Sequence, residues 1–518
     1  MFSEMLEINN INGVNFGTAS NVYQIYNTTN DSDVFELVID GLILEKYADE
    51  DVKEYIKHLP SNKKRVATLS SIGDDNLLWT KINEIIKEEK SSYERLKSVY
   101  TLLKEYVKIA DVERKKHGEI LTPFKELAEP MVKLVDKYDS EFWKNKNHKV
   151  LDSSAGYGTF LILVAYKFMV GLKDEFPNEE ERFKWIVENC LYYGELQAKS
   201  VFSWLVAIDP HNEYKTNIYW GSFLTKDFDD HMNNVWKVVS FDLIIQNPPY
   251  QEQKPGFKKT QPLWHLFVQK SLKLLVENGY MVMVHPSGWR NVDGVFKETQ
   301  IKLKENQILE LHIHNEKKGL KTFGAETRYD YYILCNKSSY KETIIKCQDE
   351  SFDSSDISKM EFIPNGMFSK VNELIAKEGE EKVEILHSFS SYETRKEYIS
   401  KEKTEEFKYP CMYTVPKGDI PNLFYSSVND KGHFGISKLI WSNGRIISVG
   451  SYIDEVGEFG LTQFSYAIVD SVENLKNIKK AFDSKEFRSL MEICAVGDMT
   501  INRKSIATFK KDFWKEFI

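Results

Sequence analysis

Residues 117–335 alternate short apolar runs with amphipathic segments, and this alternation constrains the fold more than any other feature of the sequence. The amphipathic segments at 160–169 and 264–276 have the spacing of a helix with one apolar face. The apolar runs are typical of buried strands and lie at 150–151, 191–195, 217–220, 241–246, 280–284, 308–314 and 329–334. This order predicts an α/β domain with a mainly parallel, doubly wound sheet. Such sheets bind their ligands at the carboxyl ends of the strands.

The length of 518 residues exceeds what one compact core holds, which predicts two or three domains. Residues 1–112 are predicted to form a mostly helical region, and residues 113–345 the α/β domain. A polar stretch of small residues at 348–356 predicts a linker. Residues 357–518 are rich in Tyr, Phe and Gly and end in a helical pattern from Val472 onward, which predicts a separate α+β domain.

Composition narrows the class of protein. Apolar residues make up 42% of the chain and charged residues 28%, as in globular proteins. No apolar run approaches the roughly 18 residues that span a bilayer, and the first residues lack the pattern of a signal peptide. A cytoplasmic protein without a membrane partner is therefore predicted. The 5 cysteines form no C-x-x-C pair, which predicts buried free thiols and neither a disulfide framework nor a metal site.

The tetrapeptide Asn247-Pro248-Pro249-Tyr250 follows an apolar run, so it lies at the carboxyl end of a predicted strand. The prolines remove two backbone donors and leave carbonyls without local amide partners. The Asn247 side-chain oxygen and the Pro248 carbonyl can then accept both hydrogens of one NH₂ group, which favours the geometry from which an aryl amine attacks a methyl donor. The Tyr250 ring offers a face for a planar base. The alternative is a Pro-Pro turn in which Asn247 only caps the strand.

A glycine turn, Asp152-Ser153-Ser154-Ala155-Gly156-Tyr157-Gly158, follows the predicted strand 150–151 and opens a helix. Glycines at such a turn let the backbone approach a ligand, although they can also be purely structural. A carboxylate at the end of the next strand, Glu195, can hold the two hydroxyls of a ribose. The turn lacks a G-x-x-G extension and a phosphate-binding lysine, which favours a nucleoside without phosphates. S-adenosylmethionine is such a ligand.

Together these segments resemble the gamma class of amino-methyltransferases that act on adenine in DNA in bacterial and viral restriction-modification systems. That class carries a donor-binding segment, a glycine turn, the catalytic tetrapeptide and a C-terminal target-recognition domain, and this chain has the same order. The resemblance covers roughly residues 113–335. It implies a Rossmann-like methyltransferase domain, S-adenosylmethionine as the methyl donor without a metal, and target recognition by residues 357–518.

The resemblance also implies residue roles. Thr122-Pro123 matches the pair that touches the methionine part of the donor, and the same pair fits a helix N-cap followed by proline. Phe323 matches a second aromatic ring that holds the flipped base against Tyr250. The implied donor-binding residues are Thr122, Pro123, Asp152, Ala155, Gly156, Gly158, Glu195, Ser222 and Phe223. The implied catalytic residues are Asn247, Pro248, Pro249, Tyr250 and Phe323.

Two positions depart from the class. Ser153 stands where proline is usual, and the turn is expected to tolerate this change. Ser222 stands where an acid usually accepts a hydrogen bond from the adenine amine of the donor. A serine hydroxyl can accept that bond but lacks the charge that would strengthen it. The departure at Ser222 therefore predicts weaker donor binding rather than lost activity.

The implied activity is site-specific methylation of adenine N6 in double-stranded DNA, with the adenine flipped out of the duplex. A cognate restriction endonuclease is a further candidate partner. The net charge of −9 gives no overall attraction to a polyanion, so basic residues are expected to cluster on one face. Candidate basic runs for phosphate contacts lie at 63–65, 114–116, 258–259 and 503–504.

Three alternatives stay open from the sequence. The same tetrapeptide serves enzymes that methylate glutamine in proteins or guanine amines in ribosomal RNA. A restriction enzyme with a fused nuclease is the second alternative, although residues 1–115 contain no convincing P-D…(D/E)-x-K pattern. The third is a DNA-binding protein that keeps the fold without catalysis.

Overall fold

The structure is a computed structural model that describes most of the chain after residue 121 and parts of the chain before it. The described residues are 10–11, 14–15, 84–85, 88, 91–106 and 122–518, except for 197–199, 202–203, 205–206, 210–213, 253–259, 293, 338–340, 419 and 498–499. Most of the predicted N-terminal region 1–112 therefore lies outside the described residues. Within it, Ser92–Tyr106 is an α-helix.

The chain divides into two compact units. The first contains residues 1–286 and 301–341, and the second contains residues 287–300 and 342–518. Residues 287–300 were expected in the α/β domain, but the structure places them in the second unit. Arg290 ties this segment to the second unit, because its buried guanidinium donates hydrogen bonds to the backbone oxygens of Ile363 and Pro364 and to Asn365 Oδ1.

The first unit contains the strands and helices of the predicted α/β domain. Its strands are β1 (Asn10–Ile11), β2 (Val14–Asn15), β3 (Val150–Asp152), β4 (Leu191–Glu195), β5 (Asn217–Trp220), β6 (Phe241–Gln246), β7 (Gln251–Glu252), β8 (Gln261–Pro262), β9 (Leu275–Pro286), β10 (Gln307–His314) and β11 (Tyr329–Cys335). Its helices are α1 (Ser92–Tyr106), α2 (Glu129–Tyr138), α3 (Thr159–Gly171), α4 (Glu179–Asn189), α5 (Lys226–His231), α6 (Trp264–Leu274), part of α7 (Lys297–Lys304), and α8 (Glu316–Phe323).

The central sheet of this unit has the strand order β5-β4-β3-β6-β9-β11-β10. Strands β5, β4, β3, β6 and β9 run parallel, and β11 runs antiparallel between β9 and β10. The chain moves outward from β3 through β4 to β5 and then returns to β6, so the order reverses between β3 and β6. The predicted α/β class with a doubly wound, Rossmann-like sheet is confirmed. Ligands of such sheets bind at this reversal point, and the glycine turn and the tetrapeptide follow β3 and β6.

Apolar strand residues hold the sheet against its helices. Val150, Leu243, Ile245 and Val282 are fully buried in one core. Helix α3 packs on β3 and β4, α4 packs on β4 and β5, and α2 packs on β9 and β11. Each such buried side chain contributes about 1.5–3 kcal/mol relative to an exposed one. The carboxyl ends of β3 and β6 are therefore fixed by a well-packed core.

The second unit has α+β architecture. Its strands are β12 (Thr343–Lys346), β13 (Phe352–Ser355), β14 (Ile385–Leu386), β15 (Ile399–Ser400), β16 (Tyr409–Thr414), β17 (Asn422–Ser426), β18 (Lys438–Ser442), β19 (Ser451–Asp454), β20 (Gly460–Leu461) and β21 (Ser465–Val469). They include two sheets of orders β14-β21-β18-β19 and β15-β17-β16-β20. The helices are α9 (Phe368–Leu374), α10 (Val472–Asp483), α11 (Lys485–Cys494) and α12 (Arg503–Ile506). The helical pattern predicted from Val472 onward is confirmed.

The linker prediction at 348–356 is wrong. Residues Phe352–Ser355 form strand β13, which pairs antiparallel with β12. The stretch is polar because one face of this hairpin is exposed, and this composition resembles that of a linker. Thr343 and Ile345 on the other face are buried. The five cysteines are free and buried, as predicted. Within the described ranges, no helix combines the length and apolar content needed to cross a bilayer.

A buried ionic cluster on β10 links the sheet to α2. The Glu310 carboxylate accepts hydrogen bonds from Lys137 Nζ, from the Tyr138 hydroxyl at 2.8 Å and from His312 Nε2 at 2.7 Å. Burial alone would raise the pKa of Glu310, but the hydrogen bonds from His312, Lys137 and Tyr138 outweigh it and lower the pKa to about 2. The cluster thus stabilises the fold above the ordinary pKa of a glutamate and loses this contribution as the pH falls from 4.5 through about 2.

We expect Glu310→Gln to lower the free energy of unfolding at pH 7 by about 1–3 kcal/mol, because the amide cannot replace the charge that three donors surround. The difference from wild type should shrink as the pH falls from 4.5 toward 2, where the wild-type carboxyl also becomes neutral. Denaturant titrations at several pH values measure both effects, with Glu305→Gln as an exposed control. A difference that does not change with pH would contradict the assignment.

Candidate functional site

Asn247 lies directly beyond the carboxyl end of β6, and among the described residues only Thr122 contacts its side chain by a hydrogen bond. Its Nδ2 donates to Thr122 Oγ1 at 3.2 Å, and its backbone oxygen accepts from Ser154 Oγ at 3.3 Å. Its Oδ1 is buried and has no hydrogen-bond partner among the described residues. Thr122 thus engages the donor end of the carboxamide and leaves the acceptor end available. A buried acceptor without a partner costs about 1–3 kcal/mol, which marks this oxygen as unusual.

Pro248 carries a second acceptor, its backbone carbonyl, next to Asn247 in the chain. Neither Pro248 nor Pro249 has a backbone N–H, and in the described part of the chain no donor pairs with the Pro248 carbonyl. Pro248 is buried, whereas Asn247 and Pro249 are half-buried. Two neighbouring acceptors without donors can bind both hydrogens of one amine.

A chain of buried hydrogen bonds connects the glycine turn to the strand that carries Asn247. Ser153 Oγ donates to Gln246 Oε1 at 2.5 Å, and Gln246 Nε2 donates to Ser271 Oγ at 2.7 Å. Gln246 and Ser271 are fully buried, and Ser153 is 3% exposed. A proline at position 153, as is usual in the gamma class, has no hydroxyl and could not make the first of these bonds. The network was missed because it depends on β3 and β6 being neighbours, which residue spacing does not show.

The glycine turn has a left-handed backbone at two positions. Gly156 has φ +53° and Gly158 has φ +82°. A Cβ on Gly158 would lie 2.1 Å from the Trp204 ring, so only glycine fits there. Among the described residues, none comes within 4 Å of the position that a Cβ on Gly156 would take, so the described chain leaves this side of the turn open. Trp204, which stacks on Tyr193 with ring centroids 5.4 Å apart, was not predicted because no local pattern marks it.

Two acidic side chains end the neighbouring strands β3 and β4. Glu195 Oε2 accepts from the Gly156 amide at 2.9 Å, and Glu195 Oε1 accepts from the Leu196 amide at 2.7 Å. Asp152 is 1% exposed, and its Oδ1 accepts from the Ser154 amide at 3.2 Å. Burial raises the pKa of Asp152 well above its ordinary value, and the nearby Glu195 raises it further. Glu195 therefore supports the turn as well as offering oxygens beside it.

Ser222 and Phe223 follow β5 and make contacts within the protein. The Gly221 amide donates to the Glu195 backbone oxygen at 2.9 Å, which brings this segment next to Glu195. Ser222 Oγ accepts from the Leu224 amide at 3.4 Å. The Phe223 ring is 2% exposed and packs edge-on against Phe228 at 4.8 Å. Phe223 thus packs within an apolar cluster with Phe228, and its proposed contact with the donor stays a prediction.

Tyr250 and Phe323 are neighbours, with ring centroids 5.9 Å apart and planes at 80°. Phe323 is the last residue of α8, and Gly324 ends that helix with φ +68°. A base held between two rings needs them nearly parallel, so at least one ring must rotate for a base to enter. Burial raises the pKa of Tyr250 well above its ordinary value, and Tyr329 and Asp330 add to this. The Tyr250 hydroxyl is therefore neutral.

Asp330 was not predicted as a site residue, yet it lies close enough to Tyr250 to act on its pKa. It is fully buried on β11 and faces His285 of β9 in the strand register. The His285 Nε2 lies 3.0 Å from the Tyr332 hydroxyl, and its ring stacks on Trp264 at 4.2 Å. A lone aspartate inside the apolar run 329–334 was a signal that could have revealed it.

Some predicted residues fall outside the described part of the chain. Of the segment 117–124, the structure describes Thr122, Pro123 and Phe124 only. The basic runs at 63–65, 114–116 and 258–259 also lie outside the described residues, whereas 503–504 lies in the second unit. The remaining predicted site residues lie at or just beyond the ends of β3, β4, β5 and β6, or at the end of α8.

Part of the chain matches a known family. Residues 174–320 match the family model described as Eco57I restriction-modification methylase. The matched stretch includes Glu195, Ser222, Phe223 and residues 247–250, and it excludes Thr122-Pro123, the glycine turn and Phe323. This part of the chain is therefore similar to restriction-modification methylases. A comparison with curated proteins found no match.

Several solved structures have a similar course of the chain. The modification subunit of a type I restriction enzyme from Vibrio vulnificus YJ016 is 16% identical with a TM-score of 0.35, and 54% of this chain and 62% of that chain are covered. The type IIL restriction-modification enzyme MmeI, in complex with DNA, is 12% identical with a TM-score of 0.49. The match covers 94% of this chain and 81% of that chain. A nuclease-deletion mutant of the type ISP restriction-modification enzyme LlaGI, in complex with a DNA substrate mimic, is 12% identical with a TM-score of 0.49. The match covers 91% of this chain and 53% of that chain. The chain spans less than two thirds of the length of the first and third of these proteins.

Proposed function

We propose that this protein is a site-specific DNA methyltransferase that transfers a methyl group from S-adenosylmethionine to N6 of a flipped adenine. The observation that carries the proposal is the Asn247 carboxamide, whose donor end is engaged by Thr122 and whose buried acceptor end has no partner among the described residues. The Pro248 carbonyl provides the second acceptor. The match of residues 174–320 to restriction-modification methylases supports a methyl-transfer reaction on DNA.

The donor would lie beside the glycine turn. The residues fit a nucleoside without phosphates, because Gly156 leaves open space and Glu195 and Asp152 offer oxygens but no positive charge. Thr122 and Pro123 would hold the methionine end, and Ser222 the adenine amine. S-adenosylmethionine supplies a methyl group bound to a positively charged sulfur, which is electrophilic.

In the reaction, Asn247 Oδ1 and the Pro248 oxygen would accept the two hydrogens of the adenine N6 amine. This geometry takes the nitrogen lone pair out of conjugation with the ring and aims it at the methyl carbon. The new N–C bond forms as the S–C bond of the donor breaks, and the surplus proton of N6 passes to water. Tyr250 and Phe323 would hold the faces of the flipped base.

The proposal is tested by incubating the purified chain with methyl-labelled S-adenosylmethionine and mixed-sequence duplex DNA. We expect N6-methyladenine among the nucleosides after digestion, at positions that share one sequence. Parallel reactions with ribosomal RNA and with a protein fraction test the alternative amine substrates. Label in either of these, with none in DNA, would overturn the proposal. DNA cleavage in the same reaction would reveal a nuclease within the chain rather than a separate endonuclease partner.

A further inference from the structure

Gln246 is the last residue of β6 and stands directly before Asn247, and the reaction proposed above gives it no part. Its backbone is fixed in the sheet, because it pairs with Met283 of β9. Its carboxamide is fully buried and bonded at both ends, with Oε1 accepting from Ser153 Oγ at 2.5 Å and Nε2 donating to Ser271 Oγ at 2.7 Å. A buried carboxamide that is satisfied at both ends is held in one orientation, so its partners are fixed relative to β6.

The backbone pairing between β3 and β6 ends before the strands reach the site. In the described chain, this parallel pairing covers residues 150–151 of β3 and 243–244 of β6. Beyond it, the hydroxyls of residues 153–154 donate to the Gln246 side chain and to the Asn247 backbone oxygen. The two hydroxyls of the glycine turn therefore continue the connection to the tetrapeptide where the strand pairing has ended.

The glycine turn is also tied to β4, on the side of the proposed donor. The Ala155 amide donates to the Gly194 oxygen at 3.0 Å, and the Gly156 amide donates to Glu195 Oε2 at 2.9 Å. These bonds do not involve Gln246, so they remain when its side chain is changed. The turn thus joins the side of the proposed donor to the side of the target amine, and Gln246 belongs to the second side.

We propose that Gln246 is a positioning residue for methyl transfer, which holds the glycine turn and the tetrapeptide at the separation at which the donor methyl meets the target amine. This inference rests on the proposed function, because the turn would hold S-adenosylmethionine and Asn247 the amine. Transfer needs the reacting atoms about 3–3.5 Å apart, and a misplacement of about 1 Å can cost about 100-fold in rate. A side chain that fixes two strand ends therefore acts on the rate more than on donor affinity.

The experiment measures the single-turnover rate constant of methyl transfer from saturating S-adenosylmethionine to mixed-sequence duplex DNA, and the donor affinity by calorimetry, with the full chain. Gln246→Met keeps a side chain of similar size and removes both hydrogen bonds. Ser271→Ala removes the partner that lies on α6 and not on the turn. The matched control is Asn217→Leu, since Asn217 is a buried carboxamide at the amino end of β5 that donates to the Glu188 and Leu191 oxygens. Thermal melting follows the stability of each variant.

We expect Gln246→Met to lower the rate constant by about 10- to 100-fold. Ser271→Ala should lower it by a smaller factor, because the bond from Ser153 to Gln246 remains. Donor affinity should stay close to that of wild type in both variants. Adding Ser153→Ala to Gln246→Met should cause little further loss, since both changes remove the same hydrogen bond. Asn217→Leu should melt at a lower temperature but transfer methyl at the wild-type rate.

A wild-type rate constant in Gln246→Met overturns the inference, and so does an equal loss of rate in Asn217→Leu, since lowered stability would then explain both. A Gln246→Met variant that lowers donor affinity and regains the wild-type rate at saturating donor contradicts it as well. If Gln246→Met does not fold, Ser271→Ala and Ser153→Ala decide, and wild-type rates in both overturn the inference. A wild-type chain that transfers no methyl to DNA overturns the proposed function together with the inference, whereas the other outcomes leave the proposed function standing.

Discussion

Asn247→Ala is expected to lower the rate constant of methyl transfer by on the order of 10²–10³-fold, the usual loss when one preorganised polar group at the reacting centre is removed. The reason is that alanine removes the buried Oδ1 acceptor, which has no partner among the described residues and would bind an N6 hydrogen. The Pro248 carbonyl remains, but one acceptor cannot orient both hydrogens. Single-turnover transfer of labelled methyl to DNA measures the rate constant.

The matched control for this change is Asn234→Ala, which removes an exposed carboxamide of the same unit. It should transfer methyl at the wild-type rate. Calorimetry should show that Asn247→Ala still binds S-adenosylmethionine, because the acceptor that it removes would contact the adenine amine, and Thr122 loses only one hydrogen bond. Wild-type turnover in Asn247→Ala would show that the carboxamide has no part in the reaction.

Glu195→Ala is expected to weaken binding of S-adenosylmethionine by about 10- to 100-fold, which corresponds to about 1.5–3 kcal/mol for hydrogen bonds to a charged group. Two effects add to this loss. The ribose hydroxyls would lose a charged acceptor, and the amides of Gly156 and Leu196 lose the oxygens that hold the turn. Isothermal titration calorimetry with the full chain measures the affinity.

Glu195→Gln is an intermediate change, because the amide carries no charge but keeps one acceptor oxygen for one of the two backbone amides. Its affinity should lie between those of wild type and Glu195→Ala. Glu305→Ala, an exposed carboxylate of the same unit, serves as the control for altered net charge. An unchanged affinity in Glu195→Ala would remove Glu195 from the donor site.

Much of the α/β unit could be predicted because its strands are apolar runs bounded by polar residues. The runs at 191–195, 217–220 and 241–246 coincide with β4, β5 and β6. Composition gave a wrong prediction of a linker at 348–356, because one strand of a half-exposed hairpin there is as polar as a linker. Composition also did not predict that residues 287–300 belong to the second unit, since the partners of Arg290 lie more than 70 residues farther along the chain.

The candidate site was predictable only where a motif is continuous in sequence. Asn247 and Gly156 could be named because strand ends and turns are local features. The contacts that orient them join distant segments, such as Thr122 with Asn247 or Ser153 with Gln246. Trp204 could not be inferred, because its place beside Gly158 follows from packing alone.

The hydrogen bond from Ser153 to Gln246 has a consequence for how this protein can evolve. The two residues lie on neighbouring strands, and Gln246 also bonds to Ser271 inside the core. Restoring the usual proline at position 153 alone would leave the buried Gln246 oxygen without a donor, at a cost of about 1–3 kcal/mol. Relatives that carry the proline should therefore have a smaller or apolar residue in place of Gln246. Positions 153 and 246 are therefore expected to change together.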